Sequence, residues 1–152
     1  MGQDMLDQIK TKLKHLGYKM TPQRQAIINC LLLPGPTLTA AEVWEQVRLK
    51  HPEMSLDTVY RNLNMLVEVG VLTPIAGVGK DGSRYEPVHA PYHHHHIVCL
   101  QCGKTACVEI CPINPHFLQA VKDQGYDLVR HNVELFGICH KCREGRETLC
   151  AE

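Results

Sequence analysis

Two cysteine pairs constrain this chain more than any other feature: Cys99-x-x-Cys102-Gly103 and, 37 positions beyond Cys102, Cys139-x-x-Cys142. Two-residue spacing lets both sulfurs of a pair converge on one ion, and Gly103 permits the tight turn behind the first hook. Two such hooks close a tetrahedral zinc site with no open position, so the zinc is structural, one per chain, stapling the loop after one strand to a C-terminal strand. Free or redox-paired cysteines are the alternative, but a thioredoxin-like pair needs only one hook, in a βαβ setting. Of the eight cysteines only Cys30 precedes Cys99, and most of the ten histidines also fall from His89 onward.

No apolar run approaches the roughly 20 residues of a membrane span, and the opening Met1-Gly2-Gln3-Asp4 lacks the basic and apolar segments of a secretory signal. A cytoplasmic protein with no membrane partner is expected. Its reducing surroundings favour metal-bound thiolates over disulfides. Sixteen basic and sixteen acidic side chains cancel, so any nucleic-acid contact must come from local patches.

The first half reads as helices followed by a hairpin. Leu6, Ile9, Leu13 and Leu16 form the stripe of an amphipathic helix that Gly17 ends. Thr21 caps a second helix with Pro22 in its first turn and Ala26, Ile27, Cys30 and Leu31 as its apolar face. Thr39-Ala40-Ala41-Glu42 is a capping box for a third, which buries Val43, Trp44 and Val47. Ser55 or Asp57 caps a fourth, lined by Leu56, Val59, Leu63, Leu66 and Val67 and stopped by Gly70. Val71 to Ile75 and Arg84 to Val88 flank a glycine-rich turn and suggest a hairpin. The pattern is that of a winged helix-turn-helix whose fourth helix enters the major groove, or else of an ordinary small helical domain. Beyond the histidine run, Ile97 to Leu100, Lys104 to Ile110 and Tyr126 to Phe136 look like strands, with a helix from Pro115 to Lys122 capped by Asn114. The fold class is α+β: a domain over residues 1–88 that is a DNA-binding winged helix on the first of these readings, a hinge and metal-binding segment over 89–96, and a small α/β zinc-binding domain over 97–152.

In an extended run His93-His94-His95-His96, alternate side chains face opposite ways, so His94 and His96 serve one side and His93 and His95 the other. Two metal sites can share the segment. A solvated histidine run without a ligand role is the competing reading.

Thr21-Pro22-Gln23-Arg24, Thr58-Val59-Tyr60-Arg61-Asn62-Leu63, Ser83-Arg84-Tyr85-Glu86, the histidine run feeding Cys99-x-x-Cys102-Gly103-Lys104, and His131 ahead of Gly137-x-Cys139-x-x-Cys142 together resemble the ferric uptake regulator family. The resemblance spans almost the whole chain, in order. It implies a homodimer that binds operator DNA, with a C-terminal dimerisation domain, the structural zinc on the paired cysteines, and a regulatory divalent metal, Zn2+ or Fe2+. Glu86, His94 and His96 resemble regulatory ligands; His93, His95 and His131 resemble a second site. Tyr60 and Arg61 resemble a base-contacting pair, Arg61 bonding guanine and Tyr60 pressing on a thymine methyl, with Thr58 in the same block. Lys19 resembles a minor-groove arm and Arg24 a phosphate contact.

The chain departs from the family's pattern in the ligands. Thr37 stands where iron and peroxide sensors carry a histidine, and Cys107 stands where they carry a carboxylate, with Glu109 two residues on. Losing a hard oxygen and gaining a sulfur shifts preference toward zinc. His89 or Cys107 completes the regulatory site, or Cys107 is a buried apolar side chain. At the second site Asn114 holds the usual carboxylate position, so Glu109 or His116 substitutes or the site is weak. Cys111 and Cys150 receive no assignment. The functional expectation is a metal-dependent, sequence-specific repressor of metal homeostasis. The alternative is a zinc-dependent hydrolase or deaminase, although neither His-Glu-x-x-His nor His-x-Glu with Pro-Cys-x-x-Cys occurs.

Overall fold

A computed structural model describes residues 2–78, 82–88, 94–129 and 131–145. The chain divides into two compact units, Met1–Val88 and His89–Glu152.

In the first unit, α1 (Gly2–His15), α2 (Pro22–Leu31), α3 (Ala40–Val47) and α4 (Leu56–Glu68) surround one core, and β1 (Leu38–Thr39), β2 (Leu72–Ile75) and β3 (Arg84–Pro87) form a sheet of order β1-β3-β2. Leu6, Ile9 and Leu13 of α1 are buried as their spacing requires, whereas Leu16 lies past the helix end and is half exposed. Each helix start follows from its cap. The Thr21 hydroxyl accepts the Arg24 N–H at 3.2 Å, and the Ser55 hydroxyl accepts that of Thr58 at 3.2 Å. Ser55 is thus the cap of α4, leaving Asp57 free to pair with Arg61 one turn on at 2.9 Å. At α3 the box is reciprocal: Thr39 Oγ1 accepts the Glu42 N–H at 3.2 Å, and Glu42 accepts the Thr39 N–H at 2.7 Å.

Arg84 of β3 reaches that same box, donating to both oxygens of Glu42 at 3.2 Å and to the Thr37 carbonyl. The wing is therefore bolted to the start of α3. Because Thr39 is buried, Thr39→Ala should lose about 0.5–2 kcal/mol of stability, read from urea denaturation, and an unchanged midpoint would contradict the cap's role. The hairpin pairs Leu72 with Pro87 through Ile75 with Arg84. At its base Gly77 approaches Gly82 so closely that a Cβ would collide with the Gly82 carbonyl.

In the second unit, β4 (His95–Cys99) is central, antiparallel to β5 (Thr105–Val108) and parallel to β6 (Glu134–Gly137); α5 (Pro115–Asp123) and α6 (His140–Arg143) complete it. Asn114 caps α5 as its sequence predicts, its side chain accepting the Phe117 N–H at 3.0 Å. Several expectations are corrected. The strand expected over Tyr126 to Phe136 begins only at Glu134, because the ladder to β4 starts at the His96–Glu134 pair, and Tyr126 to Val129 pair with no strand among the described residues. The strand expected over Lys104 to Ile110 is trimmed to Thr105–Val108 by the reach of β4. His95 and His96, assigned by sequence to the hinge, are the first residues of β4.

Burial differs sharply between the units. Among the described residues the apolar side chains buried in the second unit are Val98, Cys99 and Cys142, while Phe136 is 50% and Val129 95% exposed. An α/β unit with so small a core and so much open apolar surface needs further closure, by a metal and by a second surface.

Candidate metal centres and nucleic-acid face

The four paired cysteines meet. Cys99 ends β4, and a turn through Gly103, at φ +69°, brings Cys102 back beneath it. Cys139 precedes α6 and Cys142 lies in that helix, whose existence the sequence reading missed and whose single turn sets the second hook. All four sulfurs lie within 4.8 Å of one another, and Cys102 Sγ to Cys139 Sγ measures 3.8 Å. Four thiolates at about 2.3 Å from a tetrahedral ion are about 3.8 Å apart, so the donor set fits zinc. Burial works to raise the Cys99 thiol, but backbone N–H donors of Cys139, Cys102 and Gln101 outweigh it and bring the pKa to about 6. Burial pushes the Cys102 thiol up.

The histidines alternate along β4. His94 and His96 stand edge to face with ring centroids 5.0 Å apart, whereas the His95 ring lies 5.4 Å from that of His131. His96 is in register with Cys107 on β5, which places both side chains on one face of the sheet. Cys107 is exposed, so its reading as a buried apolar side chain is corrected. Glu86 is half-buried on β3 of the first unit. His89 and His93 lie outside the described residues.

The second cluster contains a residue that sequence reasoning left unassigned. Cys111, in the loop between β5 and α5, lies 3.4 Å from His131 Nε2, and His95, Cys111 and His131 have ligand atoms within 4.8 Å of one another. Glu109 and His116, considered as substitutes for a carboxylate there, are exposed and belong to no ligand cluster among the described residues. The signal available in the sequence was only the clustering of cysteines beyond Cys99, which does not say which loop folds back.

On the first unit, α4 buries Val59, Leu63 and Leu66 completely and turns Asp57, Tyr60, Arg61 and Asn64 outward. Tyr60 is 40% exposed, so it is not a core aromatic. The Arg61–Asp57 pair is exposed on both sides, an interaction weak enough to exchange for another partner. Lys19 is exposed. Arg24 is half-buried, donating to Asn62 Oδ1 at 3.1 Å and to the Lys19 carbonyl, and so braces α2 against α4.

A winged helix with this outward α4 face, carried in one chain with a four-thiolate cluster and histidines placed to hold a metal, defines a metal-responsive DNA-binding transcriptional regulator. The chain belongs to the ferric uptake regulator family, which its residues 15–136 match. It is 36% identical over 149 residues to the ferric uptake regulation protein of Bacillus subtilis (strain 168), covering 96% of this chain and 99% of that one. It is 29% identical over 139 residues to the peroxide-responsive repressor PerR of Staphylococcus aureus (strain USA300), covering 91% and 92%. Among solved structures, the Helicobacter pylori ferric uptake regulator, described as having three functional metal binding sites, superposes with a TM-score of 0.75 at 28% identity over 94% of each chain. These relatives are transcription regulators, so a zinc hydrolase or deaminase is not supported. No helix among the described residues is long and apolar enough to cross a membrane.

Proposed function

We propose that this protein is a cytoplasmic repressor of metal homeostasis that binds operator DNA as a homodimer when a regulatory divalent metal, zinc or iron, is in place. Residues 1–88 read DNA, residues 89–96 carry the regulatory segment, and residues 97–152 form the dimer around a structural zinc held by Cys99, Cys102, Cys139 and Cys142. Glu86, His94 and His96 are the regulatory ligands, with His89 or Cys107 completing them. The observation that carries the reading is the exposed Tyr60–Arg61 step on a helix whose other face is fully buried. In the major groove Arg61 offers two parallel donors to guanine O6 and N7, while Tyr60 offers apolar contact to a thymine methyl and Thr58 lies one turn before Arg61.

The test is binding to promoter DNA with and without added metal. Arg61→Ala should cost about 1–3 kcal/mol at the cognate site and relax discrimination there. Arg24→Ala should weaken all sequences and flatten the salt dependence by about one unit, with some loss of stability from the broken brace to Asn62. Equal losses on cognate and random DNA for Arg61→Ala would remove it from base reading.

A further inference from the structure

We propose that Cys111 makes its cluster with His95 and His131 a mixed nitrogen and sulfur metal site, which selects zinc and other thiophilic ions over manganese and iron(II). Three separate segments deliver the ligands: His95 from β4, Cys111 from the loop before α5, and His131 from the segment before β6. Their ligand atoms lie within 4.8 Å of one another, and the 3.4 Å from Cys111 Sγ to His131 Nε2 is close to the separation two donors on one ion must have. For a sulfur at about 2.3 Å and a nitrogen at about 2.1 Å from a tetrahedral ion, that separation is about 3.6 Å. The backbone N–H of Ile113 donates to Cys111 Sγ at 3.4 Å, which anchors the sulfur beside His131.

Asn114 does not compete for the role. Its side chain is engaged in capping α5. The hard oxygen expected at this site is thus replaced, three residues earlier in the chain, by a soft sulfur. Two imidazoles and a thiolate suit zinc or copper(I), whereas manganese prefers carboxylate, carbonyl and water oxygens. Three donors among the described residues leave one tetrahedral position for a further ligand or water. The inference concerns ligand chemistry and stands independently of how the protein reads DNA.

Cobalt(II) is the probe, titrated into protein whose four-cysteine site retains zinc after mild chelation. In the Cys107→Ser background, which removes the thiolate that could serve the regulatory site, a near-ultraviolet thiolate-to-cobalt charge-transfer band is expected, and adding Cys111→Ser or His131→Ala should abolish it. Cys111→Ser should weaken zinc binding roughly tenfold or more, as even outer-shell changes at metal sites commonly do. Cys111→Asp should narrow the preference for zinc over manganese by a similar factor. Should Cys111→Ser fail to fold, zinc should still slow iodoacetamide labelling of Cys111 in the wild-type protein, read by peptide mass. In the Cys107→Ser background, the absence of a thiolate band or a band that survives Cys111→Ser would overturn the assignment, as would an unchanged zinc-to-manganese ratio in Cys111→Asp or labelling indifferent to zinc.

Discussion

Cys99→Ser or Cys139→Ser should yield zinc-free, monomeric protein whose second unit is largely unfolded. The expectation follows from how little else holds that unit. Its buried apolar side chains among the described residues are Val98 and two of the zinc cysteines themselves, Cys99 and Cys142. Structural zinc contributes about 10–16 kcal/mol in small zinc-finger peptides, comparable to or larger than the about 5–15 kcal/mol net stability of a typical domain. Cys99→Ser also replaces the sulfur that accepts the Cys139 N–H at 3.3 Å by a smaller hydroxyl. Sedimentation, circular dichroism and zinc content measured on the same sample decide the matter. A mutant that is dimeric, zinc-free and as stable as the parent would show that the thiolates are not the staple.

The second large effect concerns switching. The double change His94→Ala with His96→Ala should leave a folded dimer, with its four-thiolate zinc intact, that no longer binds operator DNA at physiological metal concentrations. On the proposed function His94 and His96 are regulatory ligands, and a metal bound more tightly in the DNA-competent conformation shifts the population toward it. Moving an equilibrium from mostly incompetent to mostly competent takes a differential affinity of about 5.5 kcal/mol, within reach of a multidentate transition-metal site. A mild chelator should reproduce the mutant phenotype in wild-type protein while the structural zinc stays bound. Wild-type metal dependence in the double mutant would move the sensor to the cluster at His95 and His131.

Local chemistry was legible in the sequence wherever a cause acts over a few residues. A hydroxyl oxygen that accepts the N–H three positions on marks the starts of α2, α3 and α4 at Thr21, Thr39 and Ser55, and the Asn114 amide oxygen does the same for α5. The period of Val59, Leu63 and Leu66 fixes which face of α4 is buried and therefore that Arg61 is outward. The two-residue spacing of each cysteine hook dictates convergence whatever surrounds it. Strand alternation likewise separates His94 and His96 from His95. What the tertiary structure alone decided are the pairings between segments far apart in the chain. Tyr126 to Val129 has strand-like composition but finds no ladder among the described residues, since a strand exists only where a neighbour satisfies its backbone. Arg24 reads as a free cation until Asn62, 38 residues away, engages it. Cys111 reads as a stray thiol until the loop before α5 places it on His131, 20 residues later, because loop closure depends on the whole sheet and leaves no periodic trace in sequence.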